Sequence, residues 1–223
     1  AFLDSITTNE TYFFRCQRHW DHFREWVTQR RNDPALKREG LSIWSAAASN
    51  GAEACTILIV LDQVLGKGAG MARPNQRFGG IRVEILGTDL STQVLAEAQQ
   101  ARFRPYALAQ TPPAIVSEYF ERTANEEFVF DRELLRHVTF RQHNLMQPLA
   151  ERRTFDVVFL RNVMIYFDGD SREKVLQHAF DVTRPGGLLF VGESESLLSV
   201  KHPFTYVRPS IFSKPEATPA RRA

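Results

Sequence analysis

Apolar side chains recur along the chain at two spacings that alternate from the amino to the carboxyl end. Helical spacing covers residues 8–31, which predicts one amphipathic helix or a helix pair capped by Thr7, Thr8 or Asn9. Further helices are predicted at residues 55–65, 91–101 and 171–183. Short apolar or alternating runs, typical of strands, lie at residues 41–46, 81–86, 138–141, 155–160 and 188–192. This rhythm predicts an α/β fold with a doubly wound, mostly parallel sheet and a ligand at the carboxyl ends of its strands.

Three regions depart from that rhythm. Residues 102–137 contain three prolines, a short helical piece and the alternating run Phe128-Val129-Phe130, which indicates a small inserted antiparallel β-subdomain. Residues 204–214 are typical of a bent or hairpin pair of strands interrupted by a proline. Residues 215–223 have nothing to bury and are expected to form a flexible tail, which leaves residues 1–214 as one domain.

Composition leaves the class of partner open. The 223 residues include 28 Lys and Arg against 26 Asp and Glu, so there is no electrostatic reason to expect nucleic acid or an anionic membrane. Apolar runs fall short of the roughly 20 residues of a spanning helix, and the start lacks a secretion signal, which favours a cytoplasmic location. Cys16 and Cys55 lack paired spacing, and His19 and His22 have no nearby third ligand, so no metal site is predicted.

Two acidic residues follow the first two predicted strands. The first turn has a single glycine, Gly51, instead of a three-glycine dinucleotide fingerprint, and its Glu53 suits the ammonium of a methionine moiety. Asp89 lies where a carboxylate commonly accepts hydrogen bonds from both ribose hydroxyls. Each has an ordinary alternative, since Glu53 would also suit a surface loop and Asp89 a helix cap. Together they favour a nucleoside ligand, and a dehydrogenase is the weaker hypothesis.

Polar residues also follow the next two strands. The amide of Asn144 both donates and accepts, as an adenine edge requires. Arg161 and Asn162 follow a strongly apolar strand, where burying them unpaired is costly, so we expect them to face a ligand crevice.

Several strings occur together in a specific order and spacing. They are Thr8-Asn9-Glu10-Thr11-Tyr12-Phe13-Phe14-Arg15, Ile43-Trp44-Ser45-Ala46-Ala47-Ala48-Ser49, Gly87-Thr88-Asp89, Asn144-Leu145, Phe155-Asp156-Val157-Val158-Phe159, residues 161–167, Pro185-Gly186-Gly187 and Ser194-Glu195-Ser196-Leu197. Together they resemble the CheR family of chemoreceptor glutamate methyltransferases over nearly the whole chain. The resemblance implies a Rossmann-like methyltransferase fold, S-adenosylmethionine as cofactor and S-adenosylhomocysteine as product.

The same resemblance assigns roles to individual residues. It implies that the segment before the first helix closes over the cofactor through Asn9, Thr11 and Arg15, with Arg15 near the transferred methyl. It implies further that Glu53 and Asp89 hold the amino and ribose groups of the cofactor, and that Asn144 and Leu145 hold its adenine. The pocket beside the substrate would be completed by Arg161, Asn162 and Tyr166. The implied partners are cytoplasmic domains of chemoreceptors, contacted by residues 102–137.

The chain differs from the family in several respects. Residues 50–56 read Asn-Gly-Ala-Glu-Ala-Cys-Thr where the family usually reads Thr-Gly-Glu-Glu-Pro-Tyr-Ser. This supports an alternative, a non-catalytic module that binds S-adenosylmethionine, S-adenosylhomocysteine or a receptor and signals by docking. The insert lacks glycines between Phe120 and Glu133, which predicts recognition without a receptor's tethered pentapeptide. The family's preceding helical domain is missing, so we expect a trimmed chain or one module of a larger protein.

Esterification of a glutamate requires no general base. Its carboxyl group has a pKa of about 4.3 and is already ionised at neutral pH. Catalysis then depends on alignment and desolvation. By the same resemblance, Arg15 and Tyr166 would orient the incoming carboxylate.

Overall fold

The computed structural model describes residues 11–66, 74–150 and 154–216. The helices are α1 (Gln17–Arg30), α2 (Pro34–Glu39), α3 (Ala52–Leu65), α4 (Thr92–Gln100), α5 (Pro113–Tyr119), α6 (Arg132–Leu135) and α7 (Gly169–Val182). The strands are β1 (Leu41–Ala46), β2 (Val83–Asp89), β3 (Arg102–Phe103), β4 (Phe120–Arg122), β5 (Phe128–Phe130), β6 (Val138–Gln142), β7 (Phe155–Leu160), β8 (Thr183–Val191), β9 (Thr205–Arg208) and β10 (Ile211–Ser213). Segments of 3-10 helix lie at Pro74–Gly80, Pro105–Leu108 and Met164–Tyr166. None of the described helices is long and apolar enough to cross a membrane.

A seven-stranded sheet in the order β6-β2-β1-β7-β8-β10-β9 forms the centre of the molecule. The first five strands of that order run parallel, and β10 pairs antiparallel with β8 and β9. The chain leaves β1 on one side through β2 and β6, then returns to β7 on the other side. The switch point therefore lies between β1 and β7, where open α/β sheets bind their ligands. This topology confirms the predicted fold class.

The central strands are buried on both faces, as parallel strands covered by helices require. Successive residues point to opposite faces, so Ile43 belongs to the core beneath α1 and α3, whereas Trp44 belongs to the core beneath α7. On the first face the ring of Phe159 stacks on Phe190 at 4.7 Å and on Trp20 at 5.5 Å. Each buried aromatic ring contributes roughly 1.5–3 kcal/mol, which fixes α1 against the sheet.

A second, antiparallel sheet has the strand order β3-β5-β4. Phe13 packs edge-on against its rings, with centroids 4.8 Å from Phe103 and 5.0 Å from Phe120. The Tyr119 hydroxyl at the end of α5 donates to Asp62 of α3 at 3.0 Å. The small sheet is thus joined both to the main domain and to the chain that precedes α1.

The helix predicted over residues 8–31 is wrong at its amino end, because α1 begins only at Gln17. Phe14 and Cys16 have left-handed backbone, with φ of 57° and 64°, which interrupts a helix. The Phe13 amide instead donates to the Ala107 carbonyl at 3.0 Å. Packing of Phe13 in the small sheet therefore overrides its helical spacing, and the three suggested capping residues lie outside the described residues.

Other elements differ from prediction mainly at their ends. β2 continues three residues past the predicted boundary, since Gly87 and Thr88 pair with Ser45 and Ala46 of β1. β8 begins at Thr183, five residues before the predicted strand at residues 188–192, and its ladder with β7 shifts register within that extension. The hairpin predicted at residues 204–214 is formed by β9 and β10.

Candidate active site

Backbone amides of the turn between β1 and α3 donate hydrogen bonds to residues at the end of β2. The Ala47 amide donates to the Thr88 carbonyl at 2.9 Å, and the Ser49 amide donates to Asp89 Oδ2 at 2.9 Å. Ala47, Ser49 and Gly51 have left-handed backbone, with φ of 77°, 49° and 85°. For the two residues other than glycine this conformation costs about 1 kcal/mol or more each, which the hydrogen bonds offset. The turn is therefore a fixed wall of the crevice at the switch point.

Asp89 connects this turn to the beginning of α4. Its Oδ1 accepts from the Ser91 amide at 3.0 Å, while Oδ2 accepts from Ser49. The cap of α4 is the Ser91 hydroxyl, which accepts from the Val94 amide at 3.4 Å. Helix capping therefore does not account for Asp89, and each of its carboxylate oxygens retains a lone pair for a further donor such as a hydroxyl group.

Glu53 forms a buried ion pair with Arg161 across the switch point. Glu53 Oε2 lies 2.9 Å from an Arg161 guanidinium nitrogen, and the two side chains are 13% and 4% exposed. Glu53 Oε1 accepts from the Ser45 hydroxyl at 2.7 Å. The Arg161 guanidinium also lies 5.5 Å from the Trp20 ring centroid. Glu53 is thus not a surface residue, and the structure brings it together with Arg161 as the crevice hypothesis requires.

One buried nitrogen in this cluster lacks a partner. Arg161 Nε makes no hydrogen bond to any of the residues that the structure describes. Leaving a buried polar group unpaired typically costs about 1–3 kcal/mol. A ligand carboxylate would satisfy this N–H through a charge-assisted hydrogen bond. Together with the carboxylates of Glu53 and Asp89, the unpaired nitrogen fits a nucleoside ligand that carries an amino-acid group.

The segment before α1 lies over the first turn. The Thr11 hydroxyl is 3.2 Å from the Ser49 hydroxyl. The Arg15 carbonyl accepts from Arg161 and, at 3.0 Å, from the indole nitrogen of Trp20, while the Arg15 guanidinium lies 5.7 Å from the Tyr12 ring centroid. Thr11 and the Arg15 backbone thus adjoin the crevice, whereas Asn9 lies outside the described residues.

Asn144 and Leu145 follow β6, beside the end of β2. The exposed Asn144 uses its Oδ1 to accept from the Met146 amide at 3.0 Å. Leu145 is buried in the core beneath α7, and its carbonyl lies 3.0 Å from His178 Nδ1. The adenine contact suggested for these two residues remains a prediction.

The loop after β7 is organised by Glu195, whose role the sequence analysis missed. The Glu195 carboxylate is buried and accepts from four backbone amides, those of Gly192, Asn162, Met164 and Ile165. This arrangement holds Asn162 at a φ of 59°. Tyr166, at the end of the following 3-10 turn, remains 50% exposed at the rim. The available signal was a glutamate three residues after Gly192, just past an apolar strand.

Titratable groups in and just before α1 also adjoin the cluster. Burial, aided by the charge of Arg161, lowers the pKa of His19 to about 3. Burial raises the pKa of the Cys16 thiol, which makes it a poor nucleophile at neutral pH. In residues 11–66, 74–150 and 154–216, no three His, Cys, Asp or Glu side chains gather as metal ligands would.

Comparison with known proteins identifies the family. The family described as CheR methyltransferase, SAM binding domain, matches residues 9–212. The chemotaxis protein methyltransferase of Escherichia coli K12 is 35% identical over 213 residues, 92% of this chain and 67% of the relative. Its counterpart in Borreliella burgdorferi is 30% identical over 215 residues, 95% of this chain and 72% of the relative.

Solved structures of other methyltransferases also match. The glycopeptide N-methyltransferase MtfA in complex with S-adenosylmethionine matches with a TM-score of 0.43 and 16% identity, over 83% of this chain and 58% of that one. The family match and the curated relatives confirm the resemblance found in the sequence. The chain therefore belongs to the CheR methyltransferase family, and its cofactor is S-adenosylmethionine.

Proposed function

We propose that the protein transfers a methyl group from S-adenosylmethionine to glutamate side chains on the cytoplasmic domains of chemoreceptors, forming methyl esters. Membership of the family and the chemotaxis methyltransferases among its relatives support this proposal. The observation that carries it is the buried Glu53–Arg161 pair with its unpaired Arg161 Nε at the switch point. That cluster supplies groups of both signs for an amino-acid moiety.

The residues around the crevice divide between cofactor and substrate. When bound, S-adenosylmethionine supplies an electrophilic methyl group, and a C–O bond to the glutamate forms as the C–S bond breaks, with no proton to move. Glu53 would hold the amino group, Asp89 the ribose, and Asn144 with Leu145 the adenine. Asn9, Thr11 and Arg15 would close over the ligand, with Arg161 and Asn162 completing its pocket.

On the substrate side, Arg15 and Tyr166 would orient the incoming carboxylate. The half-exposed position of Tyr166 at the rim suits contact with a group presented by another protein. Because a carboxylate is already ionised at neutral pH, these residues need only position it and exclude water.

We further propose that this enzyme recognises receptors without a tethered pentapeptide. The connection between β4 and β5 is short and closed, since the Thr123 amide donates to the Glu127 carbonyl at 2.8 Å and Arg122 pairs with Glu126 at 3.3 Å. Receptor fragments with and without a carboxyl-terminal pentapeptide should then be methylated at equal rates. A rate at least tenfold higher with the pentapeptide would contradict this.

The activity is tested by transfer of labelled methyl to receptor cytoplasmic fragments, followed by release of methanol in base. Arg15→Ala should lower turnover at least tenfold with little change in the free energy of unfolding. Arg31→Ala, at an exposed position just after α1, is the matched control and should retain turnover. A label that resists base would refute ester formation, and wild-type turnover in Arg15→Ala would remove Arg15 from the mechanism.

The same assay separates the enzyme from a non-catalytic module. The altered sequence of residues 50–56, in the turn that precedes and begins α3, is the observation that favours the module. Calorimetric binding of S-adenosylhomocysteine without any methyl transfer would support it. Binding accompanied by transfer would exclude it.

A further inference from the structure

Glu195 occupies an unusual position for a glutamate. Its carboxylate is buried and receives four backbone N–H donors, from Gly192 at 2.6 Å, Met164 at 2.7 Å, Asn162 at 2.8 Å and Ile165 at 3.3 Å. Hydrogen bonds to an ionised acceptor are roughly twice as strong as neutral ones. The carboxylate therefore acts as an internal anion around which the loop after β7 is wrapped.

The surrounding backbone is shaped to receive this carboxylate. A Cβ atom added at Gly192 would lie 2.6 Å from Glu195 Oε2 and 3.0 Å from the Asn162 amide nitrogen, so only glycine allows the approach. Asn162 is held at a φ of 59°, in the left-handed region that asparagine adopts more readily than most residues other than glycine. The glycine at position 192 and the left-handed backbone of Asn162 both allow several amides to point at one carboxylate.

The two carboxylate oxygens serve different parts of the loop. Oε2 accepts from Gly192 and Asn162, next to Arg161, whereas Oε1 accepts from Met164 and Ile165, which begin the 3-10 turn that ends at Tyr166. The Arg161 side chain is fixed independently by Glu53 and the Arg15 carbonyl. Loss of Glu195 should therefore release the turn carrying Tyr166 more than it disturbs Arg161.

We propose that Glu195 is a positioning residue that holds the substrate side of the site by fixing the Met164–Tyr166 turn. The inference rests on the proposed function, because it takes Tyr166 to face the incoming glutamate. Glu195 itself makes its contacts to backbone amides and would act only through the loop.

The test compares Glu195→Gln with Glu173→Gln. Glu173 is an exposed residue of α7 that accepts one backbone N–H, from Lys201 at 3.3 Å, which makes it a matched control. In Glu195→Gln an amide NH₂ must face backbone donors, so kcat/KM for a receptor fragment should fall at least tenfold. The dissociation constant for S-adenosylhomocysteine should rise by a smaller factor than kcat/KM falls, because Glu195 also holds the Asn162 amide beside the cofactor pocket, and Glu173→Gln should leave both unchanged.

Other patterns overturn the proposal. If cofactor affinity falls by as large a factor as kcat/KM and the melting temperature also falls, Glu195 has a general structural role. An unchanged kcat/KM would show that Glu195 has no role in the reaction. If Glu195→Gln does not fold, Glu195→Asp is the second variant, because it keeps the negative charge on a side chain one methylene shorter. It should also lose more kcat/KM than cofactor affinity.

A second readout does not depend on the proposed activity. Hydrogen exchange followed by NMR should be at least tenfold faster at the Met164 and Ile165 amides in Glu195→Gln, and unchanged there in Glu173→Gln. Unchanged exchange at these amides would overturn the inference even if wild-type protein transferred no methyl. Absence of methyl transfer by the wild type would instead count against the proposed function alone.

Discussion

At the scale of single residues, burial decides how His19 responds to pH. Its side chain is 1% exposed, its ring packs on Phe190 with centroids 5.6 Å apart, and neither ring nitrogen has a hydrogen-bond partner among the described residues. With its pKa lowered to about 3, His19 stays neutral in the folded protein while the unfolded chain gains a proton below about pH 6.5. Stability is therefore lost as the pH falls through 6.5 towards 3.

The variant His19→Leu removes this titration. The stability of wild type relative to His19→Leu should fall by about 2 kcal/mol between pH 8 and pH 5, since each unit of pH below the unfolded pKa contributes about 1.4 kcal/mol. Urea unfolding at a series of pH values measures the difference. If the free energies of unfolding of the two proteins change in parallel with pH, His19 gains its proton as readily in the folded protein as in the unfolded chain. That result would contradict a lowered pKa.

Residue by residue, the sequence predicts those site members that strand ends alone position. Glu53, Asp89 and Arg161 each follow a strongly patterned strand, and parallel strands place their carboxyl ends at one edge. The partner of Glu53 was not predictable, because an ion pair between residues 108 positions apart depends on the order of β1 and β7. Glu195 was missed for a similar reason, since its partners are backbone amides that no side-chain pattern marks.

At the scale of elements, Phe13 is the anchor between the small sheet and the segment that carries Thr11 and Arg15. It is fully buried against Phe103 and Phe120. Truncation of a buried Phe to Ala costs about 3–5 kcal/mol where the structure cannot relax, and a short segment relaxes by detaching. Phe13→Ala should therefore weaken S-adenosylhomocysteine binding at least tenfold, as measured by calorimetry.

Phe204→Ala is the matched control for that change. Phe204 is buried in the other core, beneath α7, and packs on Phe180 at 5.2 Å. Its truncation should lower the free energy of unfolding while leaving ligand affinity within threefold of wild type. Equal losses of affinity in the two variants would contradict an anchoring role for Phe13.

The same segment shows where element prediction fails. β7 was predicted with its observed limits because it is apolar, short and buried on both faces. The amino end of α1 was not, because Phe13 matches a helical spacing while it packs on a sheet more than 80 residues away in sequence. Helical periodicity reports which residues are buried, and tertiary contacts decide what they are buried against.

At the scale of the whole molecule, ligand binding at the switch point should stabilise the entire fold. The crevice joins β1, β2 and β7 with the segment before α1, so global unfolding destroys it. A ligand that binds only the folded state, at a hundred times its dissociation constant, contributes about 2.7 kcal/mol. For a domain of this size each kcal/mol raises the melting temperature by about 2–4 °C, so S-adenosylhomocysteine should raise it by about 5–10 °C.

The matched ligand for this measurement is NAD⁺, which also carries an adenosine but adds a pyrophosphate. A pyrophosphate requires a backbone that approaches it closely and a helix amino terminus without negative charge. The turn between β1 and α3 has a single glycine, Gly51, and the carboxylate of Glu53 lies in the first turn of α3. NAD⁺ at the same concentration should therefore leave the melting temperature within about 1 °C of the ligand-free value. A larger rise with NAD⁺ than with S-adenosylhomocysteine would contradict the placement of an amino-acid group beside Glu53 and Arg161.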